Sequence, residues 1–357
     1  MNYSEVVFNN ETCDSTVQPT LSSMYFQSTV FVMYCGIFVA ALLGNGLVCY
    51  VVSCSRRMHT VTNFFIVNLA VGDILMTLFC VPFSFVATLV LQYWPFGELL
   101  CHTVQFSQVT SVMVSAYTLL AISVDRYMAI MWPLRPRMSK HHAKITISVV
   151  WTIAIATAFP IFTVSHLAQP SPWHKSCHRF ICTENWESKE YQNVYSFLLL
   201  TLQYVVPFSV LVFTYTRIAV VVWGKRIPGE AQNSRDARMA RSKKKMIKMM
   251  VTVVVVFTVC WLPLNIFLLV WEQNPDLSNW ELMPHFFFAC HWLAMSHTCY
   301  NPIIYCWMNS RFRIGFCSAL GRRWVPAASF GRANTSSTYL SVRRRTEHSL
   351  TCQEEQI

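Results

Sequence analysis

Seven stretches of this sequence are long, apolar and nearly free of charge, and together they decide what the chain can fold into. They run at about Ser28–Ser53, Thr62–Val90, Leu99–Met131, Ile145–Ser165, Val194–Val222, Met249–Val270 and Pro284–Trp307. A helix needs about 20 apolar residues to cross the hydrocarbon of a bilayer, and each run reaches that length. The chain is 54% hydrophobic and only 13% charged, against roughly 25% charged in soluble domains. Such a chain must bury surface in something besides its own core. The expected fold is an all-α membrane protein, a seven-transmembrane helix bundle. A short amphipathic eighth helix on the inner surface is expected in "SRFRIGFCSAL".

Flanking Lys and Arg set the orientation, because cytoplasmic links keep positive charge. Residues 1–27 hold no Lys or Arg and no apolar core segment, so no cleavable signal peptide is expected. Arg56 and Arg57 follow the first run; Arg135, Arg137, Lys140 and Lys144 follow the third. Nine bases follow the fifth, ending in "RSKKKMIK", and eight follow the seventh. The opposite links carry only Lys175, Arg179 and Lys189. This predicts an extracellular N-tail over 1–27, the bundle over 28–320 and a cytoplasmic tail over 321–357. That tail is polar and rich in Ser and Thr ("ANTSSTYLS") and is expected to be disordered. "RSKKK" suits contact with anionic lipid or a cytoplasmic partner. The sequons at Asn2 and Asn10 fall in the outward tail and predict glycosylation there, whereas Asn334 falls inside. Glu5, Glu11, Asp14, Glu98, Glu184, Glu187, Glu190, Glu272, Asp276 and Glu281 face outward, ten acids against three bases. Such a field draws basic ligands, although the orientation rule alone also leaves acids outside.

Of 14 cysteines, most sit in apolar runs as small core fillers. Cys13, Cys101, Cys177 and Cys182 face the oxidising side, which allows three pairings. A bridge from Cys101 to the long second outer link would clamp that link over the bundle. Cys101–Cys182 is the favoured pair, with Cys13–Cys177 the second choice. Cys317 lies beside bases on the inner surface, where reversible acylation or an idle thiol both fit.

Ionisable groups inside a membrane are costly, so each is a functional candidate. Asp73 in "NLAVGDIL" is the one carboxylate deep in an apolar run. Asn45, Ser115 and Asn301 could lie at its depth. A water and sodium pocket is one reading; a polar knot that only packs helices is the other. No further cofactor and no other metal is expected. "SHTCYNPIIYC" places Asn301 and Pro302 in a charge-free run. Pro302 frees a carbonyl one turn back and kinks the helix, and Asn301 with water is expected to satisfy what is freed. Pro263 in "CWLP" repeats the device beside Trp261. Two kinked helices can hold two packings of similar energy, as a switch requires. Arg126 follows Cys101 by 25 residues, about 37 Å of helix, so it lies at the inner boundary beside Asp125.

These motifs occur together, in order, in one family. Gly44-Asn45, "LAVGD", Trp94, Cys101, Asp125-Arg126-Tyr127, Trp151, Pro207, "CWLP" and Asn301-Pro302-X-X-Tyr305 resemble the rhodopsin-like (class A) G-protein-coupled receptors over about 28–320. The resemblance implies that an outside agonist shifts the bundle and activates a heterotrimeric G protein. Asp125, Arg126, Tyr127, Tyr215, Asn301, Pro302 and Tyr305 would form the switch, and Arg126 and Leu134 would meet the G protein. Receptor kinases and arrestin on the tail follow in the same way, and the plasma membrane is the implied location.

The seventh run has no Lys for a retinal Schiff base, and Gln108 stands where aminergic receptors carry an Asp. That leaves peptide receptors. Gln108, Glu272 and His291 are similar to those of the neuropeptide Y group, whose ligands end in Arg-aromatic-amide. Glu272 would then pair with a ligand arginine, Gln108 would bond the amide end, and Trp261 would lie beneath. "RIPGEAQNSRDARMARSKKKMIKMM" and "FACHWLAMSHTCYNPIIYC" resemble invertebrate RYamide/luqin-type receptors. A neuropeptide Y/F or tachykinin-like peptide is the alternative ligand. Two departures stand out: His297-Thr298 where many relatives have Asn-Ser near the sodium pocket, and Leu268 where vertebrate neuropeptide Y receptors have Asn. The sequence shows no phosphate loop, metal-ligand spacing or nucleophile–base pattern, so it does not read as an enzyme. A transporter would show internal repeats or matched broken helices, and neither is seen. The basic clusters flank membrane runs, so nucleic acid is not an expected partner.

Overall fold

A computed structural model describes residues 23–224, 234–274, 277 and 282–321. Five of the apolar runs each form one continuous helix, and the second and fifth form helices with a break. The helices are α1 (Met24–Cys54), α2 (Val61–Phe79), α3 (Glu98–Met131), α4 (Lys140–Val164), α5 (Lys189–Leu200), α6 (Ser234–Gln273) and α7 (Met283–Met308), followed by α8 (Ser310–Ala319). Side-chain caps begin four of them. Thr60, Ser139, Ser188 and Asn309 accept from backbone amides at the starts of α2, α4, α5 and α8. Six of the spans are long and apolar enough to cross a membrane. α7 has the length, at 26 residues, but carries His285, His291, Ser296, His297, Thr298 and Asn301. Its polarity marks it as the helix with most to do inside the bundle.

α6 begins 15 residues before Met249, about four helical turns, so it projects beyond its apolar run. Residues 225–233 and the tail from 322 lie outside the described residues. So do residues 1–22, with Asn2, Asn10 and Cys13, and five of the outward acids, Glu5, Glu11, Asp14, Asp276 and Glu281.

The bundle is apolar on both sides of each helix. Val39, Leu43, Val149, Phe159, Val212 and Ile266 are exposed on its outer surface, as a lipid solvent demands. Tyr34, Phe65, Leu69, Met113, Ile122 and Met295 fill the core. The apolar pattern therefore finds the helices but not which face of each is inside.

The runs hide two breaks. α2 is continued by a short helix, Val81–Phe85, and then by a π-helical turn, Val86–Leu91. Pro82 opens the short helix and has no amide to give. α5 passes through a π-helical turn, Thr201–Val205, before continuing as Val206–Gly224. Pro207 follows directly, and single π turns of this kind sit where a helix must absorb a local mismatch. The outer link also departs from the all-helical expectation. Strands β1 (Ser165–Ala168) and β2 (Ile181–Glu184) form an antiparallel hairpin that pairs Leu167 with Cys182. Cys182 is bonded to Cys101 at the start of α3, so the hairpin is pinned over the bundle. Trp94 secures it from the neighbouring link, its amide donating to the Phe180 carbonyl at 2.6 Å. Cys177 is disulfide-bonded as well.

α1 and α7 touch closely where Gly44 faces Pro302. A Cβ at Gly44 would lie 2.9 Å from Pro302 Cγ, whereas one at Gly46 would meet nothing within 4 Å. A proline ring cannot rotate away, so α7 would have to shift. Gly44→Ala is expected to cost about 1–3 kcal/mol, read as a lower melting temperature in detergent, with Gly46→Ala close to neutral.

Candidate functional site

Three sites lie along the bundle axis. At mid-depth Asp73 of α2 is fully buried, and Asn45, Ser115, His297 and Asn301 are buried as well. Asn301 Nδ2 donates to Asp73 Oδ2 at 2.8 Å, joining α7 to α2. His297 Nε2 stands 3.5 Å from Asp73 Oδ1. Ser115 approaches α2 at Gly72, where an added Cβ would lie 3.4 Å from its Oγ.

The Asn-Pro pair of α7 works differently from the sequence expectation. The carbonyl that Pro302 leaves unpaired is that of Thr298, four residues back. Asn45 Nδ2 of α1 donates to it at 2.8 Å and to the Ala41 carbonyl at 3.0 Å. The freed group is thus repaired from another helix, while Asn301 serves Asp73. In lipid this matters, because an unpaired buried carbonyl costs several kcal/mol. Above this level the ring of His297 packs on Trp261 at 5.4 Å and Phe257 at 5.7 Å. The α6 aromatic pair thereby contacts the polar centre directly.

At the inner end Asp125 and Arg126 form an ion pair. Arg126 Nε donates to Asp125 Oδ2 at 3.0 Å. Its remaining nitrogens reach Thr62 Oγ1 of α2 at 2.5 Å and Met246 Sδ of α6 at 3.6 Å. Arg126 therefore bridges α3, α2 and α6. Tyr215 is buried, as is Tyr305, which packs on Phe312 of α8 at 5.5 Å between ring centres. Tyr127 packs against Trp132 and Phe213. Leu134 is 99% exposed beyond α3. Phe312 and Phe316 seat α8 against the bundle, and Cys317 is free and half-buried beside them.

At the outer end Glu272 of α6 is half-buried, and Ser196 Oγ of α5 donates to its Oε1 at 3.3 Å. A second carboxylate joins it that pattern reading did not single out. Glu184, the last residue of β2, accepts from Trp186 Nε1 at 2.7 Å. Crowding by protein atoms holds its carboxyl above the ordinary glutamate range; the hydrogen bond from Trp186 opposes this, and the charge of Glu272 adds the smallest push, upward. The hairpin brings it there, which no linear motif reveals. Gln108 is half-buried on α3 and Trp261 buried on α6. His291 is placed deeper in helix packing than a surface contact requires. Its Nδ1 shares a 2.7 Å hydrogen bond with the Tyr34 hydroxyl, joining α1 to α7, and its ring meets Phe287 at 5.6 Å. A further tie that the sequence reading passed over runs from Trp151 Nε1 to Asn68 Oδ1 at 2.9 Å and from Asn68 Nδ2 to Thr118 Oγ1 at 2.8 Å. It locks α4, α2 and α3 together.

A helical bundle with a polar centre, a hairpin clamped by Cys101–Cys182 and an Asp–Arg pair at its inner rim defines a membrane signal receptor. Residues 44–305 match the family described as "7 transmembrane receptor (rhodopsin family)", and the chain belongs to that family. It is a multi-pass membrane protein and a G-protein-coupled receptor, not an enzyme. Among relatives, it is 52% identical to the RYamide receptor of Drosophila melanogaster, over 96% of this chain and 79% of that one. It is 53% identical to the RYamide receptor of Tribolium castaneum, over 84% and 83%. At 36% identity it also resembles the Tachykinin-like peptides receptor 99D of Drosophila melanogaster, over 86% of this chain and 60% of that one.

Proposed function

We propose that this receptor binds an amidated neuropeptide ending in Arg-Tyr-amide or Arg-aromatic-amide and answers by activating a heterotrimeric G protein. The observation that carries the reading is its likeness at 52% identity, over 96% of its length, to a receptor named for RYamide. The outer carboxylates supply the chemistry. The charge of Glu272 is felt at the Glu184 carboxyl, and a guanidinium placed beside both would offset it and donate two-pronged hydrogen bonds to a carboxylate. Gln108 would bond the terminal amide. Trp261 would form the floor, and His291 would brace the wall through Phe287.

Agonist seated above Trp261 would press on α6 and α7 at their proline kinks, free Arg126 from Met246 and Thr62, and open the inner face beside Leu134. Arg126, Tyr215 and Tyr305 would then regroup. The N-terminus lies outside in this reading, with glycans on Asn2 and Asn10, acylation at Cys317, and the tail serving receptor kinases and arrestin. The basic start of α6 would meet anionic lipid or the G protein.

A panel of amidated peptides on cells expressing the chain, read by calcium and cyclic-AMP reporters, tests the ligand. Arg-Tyr-amide peptides are expected to act at nanomolar concentration, at about −12 kcal/mol of binding, and their free-acid forms much more weakly. Equal potency of amide and acid would remove the pocket assignment. A stronger response to a tachykinin-like peptide would move the ligand to the other set of relatives.

A further inference from the structure

The polar centre around Asp73 is where receptors of this family offer a cation a place, and the residues here do not fit one. A hard cation is held by about six oxygen ligands. Asp73 Oδ2 is already engaged by Asn301, and the Asn45 amide nitrogen is spent on the carbonyls of Ala41 and Thr298. Among the described residues here, Asp73 Oδ1 and Asn45 Oδ1 are the buried side-chain oxygens with no close hydrogen bond. In front of the first stands not an oxygen but the imidazole of His297, 3.5 Å away. Imidazole nitrogen suits transition metals rather than hard cations.

The ring is not free to leave. Its Nδ1 donates to the Ala294 carbonyl at 2.8 Å, an atom that can only accept. That bond turns Nε2 toward Asp73. The ring is held in edge-to-face contact with Trp261 and Phe257, and the side chain is buried. The gap beside it, lined by Leu69, Leu119, Val256, Phe257, His297 and Asn301, has no room for a water molecule.

We infer that this receptor holds no sodium at its polar centre: His297 occupies the place beside Asp73 Oδ1 that a cation would take, and it links Asp73 directly to the α6 aromatic pair. A diffusible ion would make that centre answer to external sodium. A tethered imidazole makes it answer only to the movement of α7 against α6.

The test is a melt of the purified full-length receptor in detergent, in sodium chloride and in N-methylglucamine chloride at equal ionic strength. Wild type is expected to melt at the same temperature in both. His297→Asn, which replaces the ring by an amide that offers an oxygen, is expected to gain a rise of about 2–4 °C in sodium, as for a bound ligand in excess of its dissociation constant. Adding Asp73→Asn to that variant is expected to abolish the gain. A sodium-specific rise of that size in wild type overturns the inference, and this measurement needs no variant. Should His297→Asn and His297→Ser both stay insensitive to sodium, His297 is not the occupant and the inference also fails.

Discussion

Receptor carrying Glu272→Arg is expected to respond to an Arg-Tyr-amide peptide only at concentrations about 30- to 3,000-fold higher than wild type. The range follows from about 2–5 kcal/mol for removing one partner of a buried charge pair, at about 1.4 kcal/mol per tenfold. The new guanidinium would do more than delete a contact. It would pair with Glu184, whose carboxyl now feels the charge of Glu272, and so fill from within the space meant for the ligand arginine. Glu272→Gln keeps the shape and the bond from Ser196 and should cost less. Concentration–response curves on matched cell-surface expression measure both. A peptide whose arginine is replaced by citrulline should lose potency on wild type and little further on Glu272→Gln, since coupled groups share one interaction energy. An unchanged curve for Glu272→Arg would remove the outer carboxylates from the ligand site.

Arg126→Ala is expected to leave peptide binding in place and reduce G-protein activation to the unstimulated level. In the structure Arg126 is held by Asp125 within α3 and by Thr62 of α2, while its tie to α6 is a thioether contact at 3.6 Å. A sulfur acceptor holds a guanidinium far less firmly than a carboxylate, so the α6 contact is the weakest part of the clamp. Outward movement of α6 would break that contact first. Truncation also leaves Asp125 buried without its cation, at about 3–5 kcal/mol, so surface expression and peptide binding must be measured beside activation. Arg126→Lys restores charge but not the planar fork and should recover folding more than signalling. Full activation by Arg126→Ala would show that the inner rim works without this residue.

The helices were legible because lipid imposes length and apolarity on any crossing segment. The inner ion pair, Asp73 and the Cys101–Cys182 bridge were legible because charges and outward cysteines are scarce enough to stand out. What escaped is what joins residues far apart in sequence. Asn45 reaches the carbonyl freed by Pro302 across 253 positions, and Tyr34 meets His291 across 257. Neither pairing leaves a trace in local pattern. The inside face of each helix was hidden too, because lipid-facing and core-facing positions are both apolar. Glu184 was counted among the outward acids but not placed, since only the hairpin of β1 and β2 carries it to Glu272.

Guanine-nucleotide exchange on purified heterotrimer, driven by the reconstituted full-length chain, tests the central claim most directly. Addition of an Arg-Tyr-amide peptide is expected to accelerate exchange, and the same peptide is expected to leave the rate unchanged with Arg126→Ala. Exchange that no amidated peptide hastens, on receptor shown to be folded and to bind that peptide, would contradict the account.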